Sequence, residues 1–144
     1  MEKIVIDASV GIKWFKTIDE KYVDYALKIN DLRITDRVSI LVPDLFFLEI
    51  LNAFFTNPNY NLKDIIDIEK ALYYMNLEIA YPDHQLLNDM INISDISGLT
   101  VYDSFYIAVA QKYEAHFITC DKKVLNNKNR FHNIWALEEL DFLL

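Results

Sequence analysis

Four acidic residues of this 144-residue chain occupy positions where carboxylates could form a metal site: Asp7, Glu49, Asp103 and Asp121. Carboxylate oxygens alone favour hard cations such as Mg²⁺ or Mn²⁺ over zinc or copper. Several carboxylates held within a few ångströms repel one another, and divalent cations neutralise such crowding. Two cations about 4 Å apart cleave phosphodiester bonds when one activates water and the other stabilises the leaving oxygen. The residues therefore predict one or two Mg²⁺ or Mn²⁺ ions and hydrolytic chemistry on phosphodiesters.

Each of these acids also has an ordinary structural explanation. Glu49 is the only charge within an apolar helical segment, and it would equally suit the one solvated stripe of that helix. Asp7 and Asp121 follow apolar runs and would suit the N-caps of short helices, while Asp103 completes a capping-box pattern with Thr100. The argument for a site rests on their conjunction, because the carboxyl ends of parallel strands lie along one edge of a sheet.

Short apolar runs that alternate with helical segments are expected to position these acids. The runs predict strands at 3–7, 39–42, 78–81, 116–119 and 133–136. Apolar stripes at helical spacing are formed by Tyr22, Ala26 and Ile29, by Phe46, Ile50, Ala53 and Phe54, and by Ile65, Ile68 and Leu72. The run 105–110 predicts a helix buried over most of its girth. The alternation indicates an α/β fold with a central parallel sheet of about four to five strands flanked by helices.

Composition narrows the possible classes of protein. With 53% hydrophobic residues the chain is expected to fold as a single domain, 1–144. Only two glycines are present, which excludes the glycine-rich loops of P-loop and dinucleotide-binding proteins. The single Cys120 excludes an internal disulfide and a cysteine metal cluster. No signal peptide is recognisable and no apolar stretch approaches the ~20 residues of a membrane-spanning helix, so we expect a cytoplasmic protein without membrane contact.

The charge of the chain is unevenly distributed. Twenty-two acidic residues against fourteen basic ones give a formal net charge of −8, which disfavours a polyanionic partner. A local basic stretch without acids lies within 122–130 and contains Lys122, Lys123, Lys128 and Arg130. These side chains are the candidates for contacts to a nucleic-acid backbone, although an ordinary solvated loop would have the same composition.

The four acids and their neighbours resemble the motifs of PIN-domain ribonucleases, and in particular the small toxins of the VapC type. Residues 4–9 look like the opening strand of that family, with its first metal-binding Asp and a following Ser or Thr. Residues 49–52 look like its helical Glu motif, and 119–123 look like its Thr-x-Asp motif. The segment 102–110 looks like the third motif, an Asp opening a helix rich in Ala and Tyr, and it is the most specific of the set.

The resemblance implies a PIN-like three-layer sandwich and assigns roles to individual residues. Asp7, Glu49, Asp103 and Asp121 would be the catalytic and metal-binding residues, supported by the polar groups of Ser9, Asn52 and Thr119. The implied activity is Mg²⁺-dependent endoribonuclease cleavage of RNA, and the implied partners are a small antitoxin and a second copy of the chain. Apolar surface for a homodimer is offered by the Phe-rich helix from Leu45 and by the end of the chain, 142–144. Ser104 departs from the family pattern, in which Ala commonly follows the third Asp.

Two alternatives of other classes stay open. A catalytically inactive domain of the same fold could act as a protein-binding scaffold, although retention of all four acids counts against it. A phosphatase of the haloacid-dehalogenase type also begins with a strand and an Asp, but that family requires D-x-D, and the third position here is Ser9. Cleavage of RNA in the presence of a divalent cation separates the nuclease from the scaffold.

Overall fold

The computed structural model describes residues 1–143, so that Leu144 of the predicted apolar terminus lies outside the described residues. The strands are β1 (Glu2–Ile6), β2 (Val38–Pro43), β3 (Glu78–Ala80), β4 (His116–Thr119) and β5 (Ile134–Ala136). They form one sheet of order β3-β2-β1-β4-β5 in which every neighbouring pair is parallel. The predicted α/β class and the five predicted strands are confirmed, because each apolar run forms a strand within about one residue of its expected bounds.

Helices cover the sheet and connect its strands. They are α1 (Ala8–Gly11), α2 (Val23–Ile34), α3 (Leu45–Phe55), α4 (Leu62–Met75), α5 (His84–Ser97), α6 (Val101–Lys112), α7 (Lys122–Leu125) and α8 (Leu140–Leu143), with 3₁₀ turns at Ile12–Trp14 and Leu137–Glu139. Parallel strands need such crossovers, and the helices on the sheet produce the expected PIN-like sandwich. No helix within residues 1–143 combines the length and apolar character that crossing a membrane requires.

The central strand and one helix form the middle of the core. In β1, Ile4, Val5 and Ile6 are each 0% exposed, since the strand is flanked by β2 and β4 and covered on both faces. In α6 every residue from Ser104 to Ala110 is buried, as the apolar run 105–110 predicted. A polar residue therefore enters the core at Ser104, where its hydroxyl hydrogen-bonds the Ser94 hydroxyl of α5 at 2.8 Å and is thereby satisfied.

One predicted apolar stripe differs from the observed one. Tyr22 precedes α2 instead of packing from it, with a left-handed φ of 60° and 45% of its surface exposed. The helix begins only at Val23, and its buried side is made by Ala26, Ile29 and Leu32. The stripe is thus displaced by one turn toward the C-terminus, because the tertiary contacts of Ile29 and Leu32 outweigh the local pattern that included Tyr22.

Candidate metal centre

The four predicted acids come from four separate elements. Asp7 directly follows β1 as the N-cap of α1, and Asp121 follows β4 as the N-cap of α7. Asp103 lies in the first turn of α6, and Glu49 lies in the middle of α3. Since β1 and β4 are neighbours in the sheet, with Ile6 paired to Ile118, the turns that follow them meet at the carboxyl edge of the sheet. The capping roles considered for Asp7 and Asp121 are confirmed.

Hydroxyl groups hold both carboxylate oxygens of Asp7. Ser9 donates its hydroxyl to Oδ1 and its backbone N–H to the same oxygen at 3.1 Å. Thr119 donates its hydroxyl to Oδ2 at 2.5 Å. The backbone continues this network, because Cys120 N–H donates to Ser9 Oγ at 2.9 Å and Asp121 N–H donates to Thr119 Oγ1 at 3.0 Å. Ser9 and Thr119, which were predicted as supporting polar groups, thus join the ends of β1 and β4 through their hydrogen bonds to Asp7.

Asp7 is the most deeply buried of the four acids. Only 7% of its surface is exposed, and burial raises the pKa of its carboxyl from 3.8 to about 7. The hydrogen bonds from Ser9 and Thr119 oppose that rise by stabilising the carboxylate, while the charges of Asp121 and Glu49 add to it. Ionised Asp7 is therefore a destabilising group in the cation-free protein, and a positive charge beside it would relieve the cost.

The other three acids share the same electrostatic field. Burial raises the pKa of Glu49, the charges of Asp103 and Asp121 raise it further, and a hydrogen bond from Tyr106 lowers it. Burial also raises the pKa of Asp103, where Asp121 adds to the rise and the Thr100 hydroxyl and Lys123 oppose it. The charge of Asp121 thus acts on Asp7, Glu49 and Asp103, so the four predicted acids lie near enough to one another to interact electrostatically.

The donor set suits a hard divalent cation by its charge and chemistry. All four groups supply carboxylate oxygens, and among residues 1–143 none of them forms an ion pair with Lys, Arg or His. Within that same range no three His, Cys, Asp or Glu side chains are grouped closely enough to hold a metal ion as they stand. The four residues therefore fit a divalent cation by their negative charge and oxygen donors, and not by a preformed coordination shell.

The remaining predicted residues are distributed less tightly. Asn52 is exposed on α3, and its side chain makes no hydrogen bond to a residue within 1–143. Its backbone carbonyl accepts from the Thr56 hydroxyl at 2.9 Å. Lys123 is exposed and its charge reaches Asp103. Lys128 is paired with Glu139 at 2.7 Å. Of the basic stretch, Lys123 thus acts on an acid of the site, whereas Lys128 is occupied by Glu139. Lys122 and Arg130 are exposed.

Two buried residues with polar partners were not recognised from the sequence. Tyr106, considered only as a core or stacking residue, donates its hydroxyl to Glu49 Oε1 at 2.5 Å. Its spacing of three residues from Asp103 places both on one helix face, which is a signal that could have found it. Lys13 is only 6% exposed and is paired with Glu20 at 2.7 Å. Nothing in the local pattern marks that pair.

Gly11 sets how closely α1 approaches α3. A Cβ atom there would lie 2.7 Å from Phe46 Cζ and 2.8 Å from Ile50 Cδ1, and both of those side chains are fully buried. We expect Gly11→Ala to lower the free energy of unfolding by ~1–2 kcal/mol, since overpacking costs about 1–3 kcal/mol and the better helix propensity of Ala returns at most about 1 kcal/mol. Chemical denaturation measures the difference.

The matched control for Gly11→Ala is the same substitution in a Phe46→Leu background. Leucine removes the ring atoms that the new methyl group would meet, so Gly11→Ala should cost less there than in the wild type. Equal costs in the two backgrounds would show that the contact with Phe46 does not restrict position 11.

Comparison with known proteins assigns the fold and the family. The family model described as PIN domain matches residues 4–129, and the chain belongs to this family. No protein with a curated description matches the sequence. The resemblance drawn from the four motifs is thereby confirmed for the family.

Solved structures with the same fold include toxins and toxin–antitoxin complexes. PAE2754 from Pyrobaculum aerophilum is 19% identical, with 96% of this chain and 86% of that chain covered and a TM-score of 0.67. VapC20 from Mycobacterium tuberculosis, a sarcin–ricin loop cleaving toxin, is 11% identical, with 87% and 95% covered and a TM-score of 0.64. VapBC-1 from nontypeable Haemophilus influenzae is 16% identical, with 92% and 96% covered and a TM-score of 0.61. At these identities the likeness is one of fold.

Proposed function

We propose that this chain is a divalent-metal-dependent endoribonuclease that acts as the toxin of a toxin–antitoxin pair. The observation that carries the proposal is the electrostatic interaction among Asp7, Glu49, Asp103 and Asp121, none of which forms an ion pair within residues 1–143. Such a concentration of negative charge destabilises a fold. Positions that lower stability in this way are typical of functional sites. The chain belongs to the PIN family, whose domains are generally nucleases, and this membership supports nuclease chemistry at the four acids.

The four acids would hold one or two Mg²⁺ or Mn²⁺ ions, directly or through water. A divalent cation bound there would lower the pKa of an attacking water molecule and would neutralise charge on the scissile phosphate. The chain's own residues prepare the site, because Ser9 and Thr119 fix Asp7 through its two oxygens and the capping contacts of Asp121 fix the start of α7. Asn52 would add a polar group at the exposed side of α3.

RNA binding by an acidic protein needs a local source of positive charge. The exposed Lys122, Lys123 and Arg130 provide it, and Lys123 is close enough to Asp103 to lower the pKa of that carboxyl. We assign the phosphate contacts nearest the cleavage site to Lys122 and Lys123. Lys128, which is held by Glu139 at 2.7 Å, would contribute only at the periphery.

An antitoxin and a second copy of the chain are the proposed protein partners, and the cytoplasm is the proposed place of action. Apolar surface is available for both, since Leu48 and Phe55 of α3 are 66% and 72% exposed. A groove of about 390 Å³ beside α3 is lined by Phe47, Leu51, Leu72, Tyr73 and Ile79. Exposed apolar patches of this kind mark protein interfaces, and structures of similar fold include a toxin–antitoxin complex from Klebsiella pneumoniae.

The decisive experiment is incubation of the purified protein with mixed cellular RNA. We expect cleavage with Mg²⁺ or Mn²⁺, no cleavage after chelation, and no cleavage by Asp103→Asn with either ion, because the variant lacks one of the proposed ligands. Asp67→Asn, which makes the same change on the exposed surface of α4, is the matched control and should cleave like the wild type. RNA left intact by the folded, cation-loaded wild type would instead favour the inactive scaffold.

A further inference from the structure

The phenol of Tyr106 connects the core of the fold to Glu49. Tyr106 is 2% exposed, and its ring stacks on Phe117 of β4 with 5.8 Å between ring centroids and 10° between ring planes. Its hydroxyl donates to Glu49 Oε1 at 2.5 Å, although the two residues are 57 positions apart in the chain. A ring held by the central sheet therefore presents its only polar atom to one oxygen of a half-buried carboxylate.

This contact restricts one oxygen of Glu49 and leaves the other free. Oε2 of Glu49 accepts no hydrogen bond from a residue within 1–143. A glutamate side chain loses rotamer entropy when it is fixed. The hydrogen bond from the rigid Tyr106 ring restricts Glu49 before any ligand binds, so less of this entropy is lost on binding. The packed phenol thus prepares Glu49 to use Oε2 while Oε1 stays occupied.

We propose that Tyr106 is a positioning residue that holds the Glu49 carboxylate in place for a divalent cation and thereby sets the cation affinity of the site. The proposal rests on the proposed function, since it needs a cation at the four acids. Groups that orient a metal ligand through a hydrogen bond typically change metal affinity by about 10–100-fold when removed. If the hydrogen bond to Glu49 served only to satisfy the buried Tyr106 hydroxyl, removal of that hydroxyl would change only the stability of the fold.

Mn²⁺ binding measured by titration calorimetry separates these two roles without any RNA. Tyr106→Phe keeps the ring and its stacking on Phe117, and we expect its Mn²⁺ dissociation constant to rise about 10–100-fold. Tyr102→Phe removes a hydroxyl from an exposed position on the same helix and should bind Mn²⁺ like the wild type. In a Glu49→Gln background, Tyr106→Phe should cause no further loss, because the ligand that it positions is gone.

RNA cleavage at increasing Mn²⁺ gives a second measurement. Tyr106→Phe should require more Mn²⁺ for half-maximal cleavage but approach the wild-type rate at saturation, since the phenol acts through Glu49 and not on the RNA. Circular dichroism and thermal unfolding of the cation-free proteins verify that the variant is folded.

Each outcome of the titration has a defined meaning. An unchanged Mn²⁺ affinity of folded Tyr106→Phe, or an equal further loss in the Glu49→Gln background, would overturn the positioning role while leaving the nuclease proposal in place. A wild-type protein that binds no Mn²⁺ and leaves RNA intact would overturn both.

Discussion

Replacement of Asp7 by asparagine is expected to reduce Mg²⁺-dependent RNA cleavage by ~10²–10³-fold while the protein stays folded. Asparagine removes the negative charge of the most deeply buried of the four acids, and the loss of one preorganised electrostatic group in an active site typically has an effect of this size. The cap of α1 is retained, because asparagine is as good an N-cap residue as aspartate. Cleavage of a labelled RNA at saturating Mg²⁺ measures the loss.

Thermal unfolding and the surface variant Asp67→Asn complete this test of Asp7. Asp67 lies exposed on α4, so its replacement should change neither cleavage nor melting temperature. An Asp7→Asn protein that unfolds would assign Asp7 to the architecture of the β1 and β4 ends, through its contacts with Ser9 and Thr119, and not to ligation. A folded variant with full activity would remove Asp7 from the proposed site.

The stability of the cation-free protein is expected to fall as the pH rises from about 4 to about 7. Burial raises the pKa of Asp7 from 3.8 to about 7, so the unfolded chain releases this proton at lower pH than the folded one. Stability from Asp7 is therefore complete below pH 3.8, decreases through the interval and stays low above about 7. At about 1.4 kcal/mol per pKa unit, Asp7 alone accounts for ~4 kcal/mol as an upper bound.

Urea denaturation in a chelating buffer at several pH values between 4.5 and 8 measures this dependence. Glu49 and Asp103 act in the same direction, because their pKa values are also raised, whereas the lowered pKa of Glu20 beside Lys13 and Lys16 acts in the opposite one. Asp7→Asn should be more stable than the wild type at pH 8 by ~1–3 kcal/mol, with the difference vanishing near pH 4. Parallel pH profiles of the two proteins would show that Asp7 is not the buried titrating group.

Added Mn²⁺ should reverse the order of these two proteins at pH 8. A cation that binds only the folded state stabilises it by mass action, and the wild type keeps the carboxylate that Asp7→Asn lacks. The melting temperature of the wild type is therefore expected to rise with Mn²⁺ more than that of the variant. This comparison links the stability cost of the acidic cluster directly to its proposed use.

The strands and the ends of the strands were predictable because their signals are local. An apolar run in a parallel sheet is buried on both faces, and this requirement is visible in 116–119 without knowledge of its neighbours. Asp7 and Asp121 follow such runs directly, so their place at the carboxyl edge followed from the strand pattern. The basic residues of 122–130 were visible in the sequence, but the positions of their side chains relative to the four acids were not.

Contacts between distant parts of the chain had no such signal. The hydrogen bond from Tyr106 to Glu49 depends on how α6 packs on β4 and how α3 packs on β2. A helical tyrosine among apolar residues has the same sequence pattern whether or not its hydroxyl meets a carboxylate. The ion pair between the buried Lys13 and the partly exposed Glu20 depends in the same way on the path of the chain between α1 and α2. The position of Gly11 against Phe46 is a third example.

The amino-acid sequence by itself determined the class of fold and the succession of strands and helices, and it marked four acids as candidate metal ligands, because periodicity, capping chemistry and the cost of an unpaired carboxylate act over a few residues. Only the tertiary structure decided that the acids act on one another electrostatically, that two hydroxyls hold Asp7, that a phenol holds Glu49 and that the charge of Lys123 acts on Asp103. Those relations arise from the packing of elements far apart in the chain, where side-chain distances depend on the whole core and not on any single segment.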